Sequence, residues 1–134
     1  MSTILIIDDN VVLARVFARS LSGAGHNVHT SHSAEDGLHQ AKLEPPDAII
    51  LDLQMPFVNG VGFLYRLRSD QALCTTPVMV VSGRAVSGER AAEIAELGAT
   101  IRMKPIAIDQ LIRDVNSLIG HGPVAAREQP LLVS

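Results

Sequence analysis

The sequence predicts an α/β fold, a five-stranded parallel sheet doubly wound with helices on both faces. Three observations carry that prediction. Short aliphatic runs recur at regular intervals, the segments between them repeat apolar residues at helical spacing, and the connections are short. Alternating β and α units joined this way fit a parallel sheet, because each parallel crossover needs about a helix of chain.

Thr3 to Ile7 is a continuous, largely β-branched apolar run, as expected for a strand covered on both faces. Ala48 to Leu51 and Val78 to Val81 repeat the pattern, whereas Asn27 to Ser31 and Thr100 to Met103 are more polar, as edge strands tend to be. Leu13, Val16, Phe17 and Leu21 define one face of a first helix, with Arg15 and Arg19 opposite. Ser33-Ala34-Glu35-Asp36 reads as a capping box opening a second helix that carries Leu38 and Ala41 and is stopped by Pro45 and Pro46. Phe63, Leu64 and Leu67 mark a third helix. Ala91, Ile94 and Ala95 mark a fourth, ended by Gly98. Ile108, Leu111, Ile112, Val115 and Ile119 mark a fifth. Strand and helix therefore alternate five times between residues 1 and 120, leaving nothing for a second domain, and residues 121–134 read as a flexible C-terminal tail or linker stub.

A chain of 134 residues with 47% apolar and 19% charged side chains can build one aliphatic core, which excludes disorder along most of its length. Aromatics are only 3% and Trp is absent. A formal charge of −3 offers no general phosphate-backbone footprint, so no direct nucleic-acid partner is expected. The single Cys74 cannot form an internal disulfide or a thiolate zinc cage. The first residues lack a basic n-region, and no apolar run approaches the roughly 18 residues needed to span a bilayer. The expectation is a cytoplasmic domain without membrane insertion.

Each strand but the second ends in a distinctive polar residue. The first runs into Asp8-Asp9, the third into Asp52, the fourth into Ser82 and the fifth into Lys104. In an open α/β sheet ligands bind outside the carboxyl ends of the strands, so these side chains converge on one edge. One Asp at a strand end is most often a turn residue or helix cap, and Asp8-Asp9-Asn10 alone could be no more than a cap. Five polar residues on one edge are harder to explain that way. Three carboxylates in one crevice repel, and a divalent cation removes the conflict; an all-oxygen set points to Mg²⁺. A lysine and a hydroxyl beside it suit a phosphoryl group. Asp52, alone on the central strand, is the candidate nucleophile, while Asp8 and Asp9 are better placed to hold metal.

Ile6-Ile7-Asp8-Asp9-Asn10, Asp52-Leu53-Gln54-Met55-Pro56 with Gly60, Val80-Val81-Ser82-Gly83, Gly98-Ala99 and Lys104-Pro105 stand in order from Ile4 to about Ile119. In these motifs the chain resembles the receiver domain of two-component response regulators, most closely the single-domain, chemotaxis-regulator-like kind. The resemblance implies a flavodoxin-like (βα)5 fold with strand order 2-1-3-4-5. It implies that Asp52 accepts a phosphoryl group from a phosphohistidine on a sensor histidine kinase or phosphotransfer protein. It gives Mg²⁺ to Asp9 directly, to Asp8 largely through water, to Asp52 and to the backbone carbonyl of Gln54. Ser82 and Lys104 then hold phosphoryl oxygens, and Lys104-Pro105 is often cis. The output goes to a downstream effector or fused output domain through a face of the fourth helix, fifth strand and fifth helix. Such a module is not a turnover enzyme; it carries out only its own phosphorylation and a slow autodephosphorylation.

Two departures stand out. Ile101 occupies the position three before the lysine where such domains place Tyr or Phe, and the stretch from Gly98 to Lys104 is one residue short, which leaves the register of the fifth strand open. The alternatives are a haloacid-dehalogenase-type phosphatase, a cofactor-carrying flavodoxin, a phosphorylation-independent receiver and a receiver cut from a larger regulator. The phosphatase needs a second Asp two residues after its nucleophile, where Gln54 follows Asp52 and Asn10 follows Asp8. The flavodoxin needs a Gly/Ser/Thr-rich phosphate loop after Ile7, which is missing. His26, His29, His32 and His39 do not make a zinc set, since His29 and His32 would face opposite sides of a strand. Met55 and Met103 read as packing residues, and Glu89, Glu93 and Glu96 as a solvated helix face.

Overall fold

In a computed structural model the described residues are 2–55 and 60–120; the expected tail (121–134) and Pro56 lie outside them. Chain order is β1 (Thr3–Ile7), α1 (Val11–Gly23), β2 (Asn27–Ser31), α2 (Ala34–Leu43), β3 (Ala48–Asp52), α3 (Gly60–Arg68), β4 (Val78–Ser82), α4 (Gly88–Glu96), β5 (Ala99–Met103) and α5 (Ile108–Gly120). All pairings are parallel, in the order β2-β1-β3-β4-β5. The two more polar runs are the edges, as their composition predicts, and the architecture is the flavodoxin-like doubly wound sheet.

Period-two alternation divides the core between two layers. Ile4, Ile6, Ile50, Met79 and Val81 face α1 and α5, meeting Phe17, Leu21, Leu111 and Val115. Leu5, Ile7, Ile49, Leu51 and Val80 face the other side, meeting Leu38 of α2, Leu64 of α3 and Ile94 of α4. Each fully buried aliphatic side chain contributes about 1.5–3 kcal/mol relative to exposure, which explains a stable sheet with few aromatics.

The helix ends follow the expected chemistry. Asn10 caps α1, its Oδ1 accepting from the Leu13 N–H at 3.0 Å. Ser33 caps α2 by accepting from the Asp36 N–H at 3.1 Å, and Gly98 takes φ +76 after α4. Three details correct the helix and strand readings. Val16 lies 43% exposed, and Ala14 joins Phe17 and Leu21 on the buried face of α1. Ala95 faces solvent, leaving Ile94 as the buried residue of α4. Met103 is 49% exposed on edge strand β5 and packs into neither layer.

One buried cation was not anticipated. Arg68, at the end of α3, donates to Leu97 O at 2.7 Å, Thr76 O at 2.7 Å, Leu73 O at 3.3 Å and Gly98 O at 3.4 Å. It ties the end of α3, the connection to β4 and the end of α4 into one unit, with its charge against the negative end of α4. Arg68→Met should lower the unfolding free energy by about 3 kcal/mol, measured by urea titration, because several buried carbonyls lose a charged donor.

Candidate functional site

Strand pairing assembles the candidate site. β1 and β3 are neighbours, with Ile7 opposite Leu51, so Asp8 and Asp52 leave adjacent strands on the same sheet edge, where the chain switches direction across the sheet. β4 adds Ser82 beyond Asp52's partner Val81. The register of β5 settles the open question at the short stretch: Met103 lies opposite Ser82, and the Lys104 N–H donates to Ser82 O at 2.8 Å. Lys104 therefore stands at the same edge, and its bond to Pro105 is cis.

Asp8, Asp52 and Ser82 are buried, while Asp9 is exposed. Lys104 Nζ lies 3.5 Å from Asp8 Oδ2 and 3.5 Å from Asp52 Oδ1, shared between the two carboxylates. Asp8 Oδ1 accepts from the Asn10 N–H at 2.9 Å, but Oδ2 is buried without a hydrogen-bond partner. Burial pushes the Asp8 carboxyl above its ordinary 3.8; the Asn10 N–H opposes that, the Asp52 charge adds to it, and Lys104 opposes it.

This environment tests the fit of a metal ion. Among the described residues, one cluster of metal-type groups occurs: carboxylate oxygens from Asp8, Asp9 and Asp52 within 4.8 Å of one another. An all-oxygen set with one orphaned buried oxygen suits a hard divalent cation such as Mg²⁺. Asn10 takes over the capping of α1, so neither Asp8 nor Asp9 is consumed by it.

The loops from β3 and β4 are linked to each other. The Gln54 N–H donates to Asp52 Oδ1 at 3.0 Å, turning the chain back over the carboxylate. The Gln54 side chain accepts from the Gly83 N–H at 2.9 Å, a role of that side chain the sequence reading missed. Ser82 Oγ donates to Arg84 O at 2.7 Å and accepts from the Arg84 N–H at 3.2 Å, so its hydroxyl is engaged within its own loop.

Among the described residues the one cluster of metal-type groups contains no histidine. His32 lies beyond the end of β2, and its Nδ1 is 2.9 Å from Asp8 O. His29 does have a neighbouring carboxylate, Glu44 Oε2 at 3.0 Å, while His26 contacts Asn116 at 2.8 Å. Glu93 departs from a purely solvated face: it accepts from the Tyr65 hydroxyl at 3.1 Å. Nothing in the spacing signalled that contact, which depends on how α3 and α4 pack.

Burial of an ionised carboxylate beside a second one destabilises the metal-free protein. The raised Asp8 value means that the folded chain holds its proton more tightly than the unfolded chain, so stability from this group falls as pH rises through that value. Asp8→Asn, which keeps an acceptor for Asn10, should raise the metal-free melting temperature at pH 7. The gain should shrink as pH falls through the raised folded value and level off below 3.8, where the carboxyl is protonated in both states.

Comparison with known proteins supplies an independent view. The response regulator receiver domain family matches residues 4–116. The response regulator ArlR of Staphylococcus aureus is 28% identical over 123 residues, covering 92% of this chain and 55% of the relative. The chain thus spans about half the length of the curated relatives it matches. Among solved structures, chemotaxis protein CheY4 of Vibrio cholerae superposes with a TM-score of 0.81 at 26% identity, over 88% of this chain and 98% of that one. A sensor protein from Polaromonas sp. JS666 gives 0.81 at 30% identity, over 90% and 97%.

Proposed function

The chain belongs to the response regulator receiver domain family, and we propose that residues 1–120 form a phosphoacceptor signalling module in which Asp52 takes a phosphoryl group from a phosphohistidine. The observation that carries this reading is the Asp52 carboxylate, buried at the end of the central strand with Lys104 3.5 Å away and the Asp8 and Asp9 oxygens beside it. An Asp52 oxygen forms the new O–P bond as the P–N bond to the donor imidazole breaks, and the imidazole nitrogen leaves with the electron pair. Lys104, shared between Asp8 and Asp52, turns to a phosphoryl oxygen. The Ser82 hydroxyl gives up Arg84 O and donates to another. Asp8, Asp9, Asp52 and the Gln54 carbonyl would hold Mg²⁺, which neutralises charge on the transferring group when bound.

Turnover hydrolysis is not part of this function. A general acid would have to stand two residues after Asp52, and Gln54 there is an amide accepting from Gly83. The acyl phosphate is therefore expected to decay slowly, as a timed signal.

The surroundings of the site fit a protein donor. Val12 is 72% exposed and Val11 and Val16 are each 43% exposed on α1, the helix that starts two residues after Asp9. Exposed apolar side chains on the helix that follows Asp8-Asp9 suit a helical partner carrying the phosphohistidine, a sensor histidine kinase or phosphotransfer protein. Output would pass through the face of α4, β5 and α5 to an effector protein or a fused output domain, with residues 121–134 as tail or linker. Among the described residues no helix is long and apolar enough to cross a membrane, and a cytoplasmic location is part of this proposal.

Intact-protein mass after incubation with acetyl phosphate and Mg²⁺ tests the reading. The wild-type chain should gain one phosphoryl group and Asp52→Asn none; equal labelling of both would remove Asp52 from its role.

The readout has its own expected outcome. Ser82→Ala and Lys104→Ala should each cut the phosphorylation-dependent gain in partner affinity about tenfold, since each removes a hydrogen bond to a charged group. Ile101, half-buried and stiff at χ1, should matter less when replaced by Ala. Partner titrations with and without a phosphate mimic check this, and loss of response in Ile101→Ala alone would reverse the order.

A further inference from the structure

The position where related domains carry an aromatic readout holds Ile101, yet an aromatic does stand against α4 from the other side. Tyr65 of α3 packs on the same core layer as Ile101 and Val86, and its hydroxyl donates to Glu93 of α4 at 3.1 Å. We propose that the Tyr65–Glu93 bond is a latch holding α4 in its resting position, and that phosphorylation opens it by pivoting α4 about its Arg68-bound end. The proposal rests on Asp52 as the phosphoacceptor.

Three features of α4 lead to the pivot. Its far end is fixed, because buried Arg68 donates to Leu97 O at 2.7 Å and to Gly98 O at 3.4 Å while also holding Thr76 O at 2.7 Å. Its near end is coupled to the site. Ser87 caps α4, accepting from the Arg90 N–H at 3.3 Å, and only four residues separate Ser87 from Ser82. The third feature is space, since a cleft of about 610 Å³ is lined by Gln54, Met55, Ser82, Arg84 and Arg90. The Ser82 hydroxyl now donates to Arg84 O; when it turns to a phosphoryl oxygen that loop loses its tie and draws Ser87 with it.

Geometry then makes the latch sensitive. At 1.5 Å per residue Glu93 lies about 6 Å from the pinned Leu97 and Ser87 about 15 Å, so Glu93 moves roughly four-tenths as far as Ser87. The 3.1 Å bond ceases to be one near 3.6 Å, which a shift of about 1.3 Å at Ser87 achieves. By linkage, a bond made only in the resting state opposes phosphorylation by as much as phosphorylation opposes it.

The test is the affinity of the full chain for beryllofluoride with Mg²⁺, a mimic of the aspartyl phosphate. Tyr65→Phe and Glu93→Ala should each bind it about three- to tenfold more tightly than wild type, the range set by one partly exposed hydrogen bond of ordinary net strength. The double variant should gain no more than either single one, because both remove the same bond. A merely structural role for Tyr65 would weaken binding. With one Tyr and no Trp in the chain, tyrosine emission reports Tyr65 alone, and it should rise on adding the mimic as the quenching carboxylate departs. Unchanged or weaker affinity in the variants, additive gains, or constant emission would overturn the latch. Failure of wild type to bind the mimic, or binding undiminished in Asp52→Asn, would instead overturn the phosphoacceptor reading, and the latch with it.

Discussion

Parallel pairing of β1 with β3 forces the Asp8 and Asp52 carboxylates into one crevice, and the rest of the edge is organised around that repulsion. Two buried anions side by side cost several kcal/mol unless something neutralises them. Lys104 answers only part of the charge, standing 3.5 Å from each and committed to neither. The Asn10 N–H satisfies one Asp8 oxygen, while the other has no hydrogen bond and only the Lys104 ammonium at 3.5 Å. A site that the chain's own groups leave under-neutralised is stable only because two aliphatic layers hold the strands in register, and it is by the same token ready for an external cation.

The loops above the carboxylates are also held by bonds they can exchange. A buried hydroxyl must have a partner, and Ser82 finds one two residues away in Arg84 O. Gln54 reaches across to Gly83. These contacts are local and involve single hydrogen bonds of modest net strength, so the resting arrangement is defined without being rigid. Deep burial at the strand ends and replaceable bonds in the loops divide the labour between keeping the site and moving it.

Much of this could be read in the sequence, for physical reasons. Strand identity followed from aliphatic runs, edge position from their polarity, and the convergence of Asp8, Asp9, Asp52, Ser82 and Lys104 from the rule that strand ends share an edge. What escaped was whatever depends on packing between elements distant in sequence. Val16 is three residues from Leu13 but lies off the face that the sheet covers, where Ala14, Phe17 and Leu21 recur at i, i+3 and i+7. Met103 looked like core, yet an edge strand has one flank without a neighbour. Arg68 resembles any helix-terminal arginine until the turns at Thr76 and Leu97 close over it. The register of β5 could not be counted from the chain because it is set by pairing with β4.

Arg68 also has a bearing on how the molecule comes apart. Buried carbonyls from the α3–β4 connection and from the α4–β5 junction share one guanidinium, so neither segment can open without stripping the other of a donor. Amide hydrogens across Arg68, Leu73, Thr76, Leu97 and Gly98 are thereby bound into one cooperative unit of local unfolding, separate from the fraying expected at edge strand β2. Exchange in that unit would proceed with a common opening free energy, although its residues come from three different stretches of the chain.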